Sequence, residues 1–196
     1  MRYWDLFQYS LNGQGGDLIP ETEAIAVPGN FPRVVSRVAK LTGTSAPWQS
    51  TLSRTSPLTT GQSATFRVKW PNVASNTVLA MVSSGSPTRR FGLYSHGGQV
   101  FFQYNNGSGY LEKCGFTPHS DLWYVVTLSV DDSAMRAEIY NEASPINRMT
   151  CSEPMQGGLS WTFFAWAYLT NDTVYIDDYN ESAGAGWRDD FRSEER

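Results

Sequence analysis

The sequence predicts an all-β chain folded as a two-sheet antiparallel jelly-roll sandwich, and three observations carry that prediction. Apolar and polar residues alternate with period two in one run after another. Turn-forming clusters of Gly, Asn, Asp and Ser separate these runs at the roughly 8–12-residue spacing of sandwich strands. No segment sustains a 3.6-residue period, and helix-favouring Lys occurs only at positions 40, 69 and 113.

Taken in order, residues 14–32 mix Gly, Pro and acidic residues around a short apolar run, and read as a long loop over the sandwich rim. Residues 64–70 form a half-buried strand: Ala64, Phe66, Val68 and Trp70 face one side, and Thr65, Arg67 and Lys69 the other. Residues 90–104 read as an aromatic hairpin about His96-Gly97-Gly98, a turn that tolerates positive φ. The next turn, at residues 105–109, leads into a short strand through Cys114. Trp123 to Val130 is a strand, Asp131-Asp132-Ser133 turns it, and Met135 to Tyr140 returns. In the last long hairpin Phe164, Trp166 and Tyr168 share one face and Phe163, Ala165, Ala167 and Leu169 the other. Thr170-Asn171-Asp172 makes its turn, and Val174 to Tyr179 its second strand. Trp70 and Trp123 are both expected in the core.

The 196 residues suit one large domain, expected over residues 1–183, with a linker and charged tail over 184–196. Trp4-Asp5-Leu6-Phe7 near the start echoes Trp187-Arg188-Asp189-Asp190-Phe191 near the end, and the N-terminal copy is expected to complete a sheet edge. Charged residues make up 17% and the net charge is −4, which gives no basic field for nucleic acid. No apolar run reaches the ~18 residues of a membrane span. Tyr3, Trp4 and Asp5 interrupt any signal-peptide core, and the expected setting is extracellular or cell-surface, as part of a larger protein. The two cysteines, Cys114 and Cys151, either pair or sit as small buried hydrophobes; spacing alone does not choose.

The order of these runs resembles the concanavalin A-like lectin/glucanase superfamily, and within it laminin-G-like and pentraxin-like modules. The resemblance spans about residues 34–179. It is carried by the paired strands up to Trp70, the central hairpin, the W-x-x-V-x-L-x-V-D run from Trp123 to Asp131, and the closing Val174-Tyr-Ile-Asp-Asp-Tyr179. Such a fold hosts lectins, enzymes and plain structural modules. In related domains calcium binds where the closing strand meets the N-terminal segment. The resemblance therefore points to a structural Ca²⁺ at Asp177, with Asp5 as a candidate partner.

Sugars stack their C–H faces on aromatic rings, with amides and carboxylates on their hydroxyls. Trp166 and Tyr168 are the first candidates, extended by Tyr94, His96, Gln103 and Tyr104 from the central hairpin. Catalysis lacks its chemistry: no E-x-D-x-x-E run places two carboxylates on one strand face, and no Ser-His-Asp or Cys-His pattern supplies a nucleophile. The tail Arg192-Ser-Glu-Glu-Arg196 resembles part of an alginate-lyase motif, but its companion motifs are absent and it reads as a solvated tail. The expected function is a non-catalytic carbohydrate-binding or adhesion module whose partner is a glycan, a polysaccharide or a neighbouring module. The alternative is a structural spacer with no glycan ligand, and a polysaccharide-cleaving enzyme comes third.

Overall fold

The computed structural model describes residues 9–12, 16–21, 36–43, 50–54, 58–83, 90–106, 108–155, 160–182 and 187–188. Among them are sixteen strands. In chain order these are β1 (Tyr9–Asn12), β2 (Gly16–Glu21), β3 (Ser36–Thr42), β4 (Ser50–Arg54), β5 (Leu58–Thr59), β6 (Ser63–Lys69), β7 (Thr77–Ser83) and β8 (Arg90–His96). They continue with β9 (Gln99–Asn105), β10 (Tyr110–Phe116), β11 (Trp123–Val130), β12 (Ala134–Asn141), β13 (Ser144–Pro154), β14 (Ser160–Ala167), β15 (Thr173–Ser182) and β16 (Trp187–Arg188).

Two antiparallel sheets form the jelly-roll sandwich. The first runs β1-β4-β14-β7-β8-β9-β10, with β5 also on β14. The second runs β13-β12-β11-β6-β15-β3-β2, with β16 also on β15. Alternation decides which side chains meet between them. Ala64, Phe66, Val68 and Trp70 point inward from the second sheet with Tyr124, Val126, Leu128 and Val130. Leu79, Met81, Phe91, Leu93, Val100, Phe102, Trp161, Phe163 and Ala165 face them from the first. Phe66 packs on Phe163 with ring centroids 5.0 Å apart, and Phe91 meets Trp161 edge-on at 5.1 Å.

Trp70, Thr77 and Ser95 bring polar groups into this core, and these are satisfied in series. The Trp70 indole N–H donates to Thr77 Oγ1 at 2.7 Å, and Ser95 Oγ donates to the Ser75 carbonyl at 2.9 Å. The Ser95 proton being used there, the bond between the two hydroxyls has Thr77 as donor and Ser95 as acceptor. The chain of donors fixes the start of β7 against the end of β8.

Three sequence expectations change here. Residues 16–21, expected within a rim loop, form β2, paired along its length with β3 from Gly16↔Leu41 to Glu21↔Ser36. Trp187 and Arg188, expected in a linker, pair with Glu181 and Asn180. Trp123, expected in the core, lies on the outer face of the second sheet, with the Arg67 guanidinium 4.6 Å and the Lys69 ammonium 5.0 Å from its ring. Parity explains it: Val126, Leu128 and Val130 bury the even positions of β11, so position 123 must face outward. The Trp4–Phe7 echo lies outside the described residues.

Cys114 and Cys151 form a disulfide with Cα atoms 6.0 Å apart. It joins β10, at one edge of the first sheet, to β13, at the edge of the second. Lys113 and Glu153 add an ion pair of 2.7 Å between the same two strands.

The β11–β12 turn is held by one carboxylate. Asp131 Oδ1 accepts from the Ser133 hydroxyl at 2.7 Å, the Ser133 N–H at 2.8 Å and the Ala134 N–H at 2.7 Å, while Oδ2 accepts from Arg136. These donors, the Ser133 hydroxyl foremost, hold the Asp131 carboxyl well below the usual carboxylate range. A depressed folded-state pKa stabilises above the unfolded value near 3.8, and that contribution fades as pH falls towards the lower folded value. Asp131→Ala is therefore expected to lower the melting temperature at pH 7, with the gap to the parent narrowing below about pH 4. A gap that stays constant from pH 7 to pH 2 would contradict this account of the turn.

Candidate functional site

The outer face of the first sheet carries a second apolar cluster, separate from the core. Val78 and Ala80 from β7 and Phe164 and Trp166 from β14 are buried there, with Tyr94 and Tyr168 packed against them. Strand register arranges this face in rows. Trp166 lies beside Val78, which lies beside Tyr94 and then Phe101. In the next row Phe164, Ala80, Gly92, Gln103 and Glu112 follow one another across five strands.

The second row has its smallest residues in the middle. Gly92 is required there: its φ is +154°, and a Cβ would come within 2.2 Å of the Leu79 carbonyl oxygen and 2.5 Å of Ala80 Cα. With no side chain at Gly92 and only a methyl at Ala80, the sheet surface is notched. The notch is a pocket of about 430 Å³ walled by Trp166 and Tyr168 on one side and Gln103 and Tyr110 on the other, with Arg90 and Tyr94 at its two ends. That volume lies in the ~300–1,000 Å³ range of small-ligand sites.

Phe164 and Trp166 stack at 4.2 Å with planes 7° apart, and the Arg90 guanidinium sits 5.3 Å from the Trp166 ring. Trp166 is 6% exposed, so it forms a wall of the pocket rather than an open platform. Tyr110, at 51% exposure, is the open ring of the site. Beyond Gln103, Glu112 organises the polar rim. Its Oε1 accepts from Gln103 Nε2 at 3.2 Å, and its Oε2 lies 3.1 Å from His96 Nε2. His96 is itself held between Tyr94 and Phe101, each with a ring centroid 5.0 Å away. Burial, then the charge of Glu112, then Tyr168 and Asp172 raise the Tyr94 pKa, so its phenol stays protonated and able to donate.

Of the residues singled out from sequence, Trp166, Tyr168, Tyr94 and Gln103 come together at the pocket, and His96 stands behind its rim. Tyr104 does not. It is 6% exposed and packs inward on Phe102, with ring centroids 6.0 Å apart. Gln103 and Tyr104 are consecutive on β9, so they point to opposite faces, and only one could have lined the site. Arg90, Tyr110 and Glu112 were missed. Register was the missing information: β10 had to be paired with β9 before Glu112 could be set beside Gln103.

Asp177 is 1% exposed, and its Oδ2 lies 3.3 Å from Arg67 Nη1 on the far sheet. Arg67 also reaches Glu142 Oε2 at 2.9 Å. Asp5 lies outside the described residues. No group of three or more His, Cys, Asp or Glu side chains suited to a metal occurs among the described residues.

No protein-family model and no curated protein matches the chain. Its fold does match solved structures. The carbohydrate binding module CBM66 from Bacillus subtilis aligns at a TM-score of 0.55 with 8% identity, over 90% of this chain and 96% of that one. Xylan beta-1,4-xylosidase from Bacillus halodurans C-125 also aligns at 0.55, with 10% identity over 74% of this chain, which spans 33% of the enzyme's length. A glycoside hydrolase family protein from Mycobacterium thermorestibile aligns at 0.52 with 11% identity, over 86% and 92% of the two chains. Likeness at these identities is a likeness of fold.

Proposed function

We propose that this protein is a non-catalytic carbohydrate-binding module whose site is the notch on the outer face of the first sheet. The observation that carries the reading is the pocket itself: aromatic rings on several sides of a floor emptied by Gly92 and Ala80, with hydroxyl and amide groups at its rim. Apolar sugar faces suit the rings of Tyr94, Tyr110 and Tyr168, and sugar hydroxyls suit the phenols and the Gln103 amide. The fold likeness to a carbohydrate binding module over nearly the full length of both chains supports it. Hydrolysis of a glycoside calls for two carboxylates flanking the bond, and among the described residues lining the pocket there is no carboxylate. The disulfide suits an oxidising compartment, in line with an extracellular or cell-surface setting.

Titration calorimetry of the full chain against a panel of polysaccharides tests the reading. Tyr94→Ala and Tyr168→Ala are each expected to weaken binding about tenfold or more, or ~1.4 kcal/mol. Trp123→Ala, on the opposite sheet, is the matched aromatic control and should bind as the parent does. Absence of binding to every polysaccharide, or affinity untouched by both tyrosine substitutions, would remove the site. Release of reducing ends or unsaturated products by the purified protein would overturn the non-catalytic part.

The calcium ion expected at Asp177 has its own experiment. A bound ion would raise the unfolding free energy by ~2.7 kcal/mol at a hundredfold excess over its Kd. A calcium-dependent rise in melting temperature that disappears in Asp177→Asn supports the ion. Equal melting with calcium and with chelator would remove the ion, leaving Arg67 Nη1, 3.3 Å from Asp177 Oδ2, as a charge beside that carboxylate.

A further inference from the structure

We propose that Glu112 sets the hydrogen-bonding sense of the pocket by orienting the Gln103 amide, so that the ligand is a glycan presenting a free, donating hydroxyl to the Ala80–Gly92 floor. This rests on the carbohydrate-binding reading above and names the sugar group that the site requires. An ionised carboxylate only accepts hydrogen bonds, so the group facing each of its oxygens must be a donor. Glu112 Oε1 lies 3.2 Å from Gln103 Nε2, and Oε2 lies 3.1 Å from His96 Nε2. The one carboxylate therefore settles two side chains that could each face either way. Gln103 turns the nitrogen end of its amide to Glu112, and His96 carries a proton on Nε2.

Strand register places the other end of the amide. Gln103 lies in one row between Gly92 of β8 and Glu112 of β10. Nitrogen and oxygen leave the amide carbon in different directions. With Nε2 turned to β10, the carbonyl Oε1 falls on the Gly92 side, over the floor. Gln103 lines the pocket, and Glu112 stands beyond it on the rim, so Glu112 acts through Gln103 as a positioning residue. A sugar hydroxyl satisfies the carbonyl by donating to it. An ether, ester or carboxylate at the same ring position sets a second acceptor against the first and leaves both unpaired. The carboxylate is itself held. His96 packs against the rings of Tyr94 and Phe101, each with its centroid 5.0 Å away, so residues of β8 and β9 fix the group that Glu112 of β10 leans on. A preorganised acceptor loses little freedom when a ligand arrives.

Oligosaccharides of xylan, dextran and galactan supply the probes, each with single ring hydroxyls removed or O-methylated in turn, titrated into the full chain. At one ring position of the bound sugar, deoxygenation and methylation should each weaken binding about tenfold, the scale of a lost hydrogen bond. Glu112→Lys is the decisive variant. An ammonium only donates, so it draws the carbonyl end of Gln103 to itself and turns the N–H groups over the floor. The methyl ether, whose oxygen still accepts, should then come within about threefold of the hydroxyl form, while the deoxy form stays weak. A role for Glu112 in stability alone would weaken all these ligands alike. Adding Gln103→Met to Glu112→Lys removes the amide and should remove the recovery. If the lysine variant does not fold, Glu112→Gln takes its place: it can present either end of its own amide to Gln103, and the methyl ether should regain part of its affinity. A methyl ether at every position that binds the parent as the hydroxyl does, or one that stays weak when Glu112 is replaced, overturns the inference and leaves the carbohydrate-binding reading standing. If no oligosaccharide binds the parent, both fail.

Discussion

Replacing Cys114 and Cys151 together by alanine is expected to lower the unfolding free energy by about 4 kcal/mol. The two cysteines are 37 positions apart, and the loss of loop entropy in the unfolded chain gives that magnitude for such a loop. The effect should appear as a lower denaturant midpoint. Opening should begin locally, because β10 is exposed along most of its length and pairs only with β9 among the described strands. The same strand carries Tyr110 and Glu112. Hydrogen exchange should therefore quicken first along β10, ahead of β11 and β6, which have paired neighbours on both sides. A loss below about 1 kcal/mol would mean that the disulfide restrains the unfolded chain far less than its loop length implies.

Gly92→Ala should be nearly as damaging, for a different reason. The added methyl meets the Leu79 carbonyl oxygen and the Ala80 backbone, atoms that cannot swing aside as a flexible side chain would. Either β7 and β8 separate or Gly92 changes φ, and overpacking with backbone strain costs about 3 kcal/mol. Gly98→Ala is the comparison. Gly98 also has positive φ, at +82°, but a Cβ there meets nothing within 4 Å. It should cost only the left-handed backbone penalty of about 1–2 kcal/mol. Equal losses at the two sites would show that backbone conformation, and not the contact with β7, sets the requirement for glycine at 92. Glycan affinity should fall in Gly92→Ala and stay unchanged in Gly98→Ala.

Hairpins and turns were legible in the sequence because their signals are local. His96-Gly97-Gly98 announces the β8–β9 turn, and Gly97 and Gly98 adopt φ of +57° and +82° there. Asn171 takes φ of +70° in the turn placed between β14 and β15. The facing of β6 was equally readable, since its apolar residues keep one parity from Ala64 to Trp70. Tyr104, expected on a binding surface, and Trp123, expected in the core, misled because residue type was weighed over parity. Each neighbours a run of aliphatic or aromatic residues that had already decided which positions point inward. Arg90, Glu112 and Gly92 could not be recognised as parts of one site from spacing alone. Glu112 lies on β10, two strands across from Arg90 and Gly92 on β8, and the hollow between them comes from residues with almost nothing to show in a sequence pattern.

The Cys114–Cys151 bond and the Lys113–Glu153 ion pair fasten the same two edge strands by unlike chemistry. A covalent tie is indifferent to ionic strength, whereas an ion pair at a half-exposed lysine weakens as salt screens it. The seam's response to its surroundings is therefore conditional. While the sulfurs are joined, salt has little to act on, because the strands stay together whichever way the charges turn. Once a thiol opens the bond, the ion pair is the remaining tie between those strands among the described residues, and ionic strength begins to matter. Oxidation state thus decides whether this edge of the molecule responds to salt.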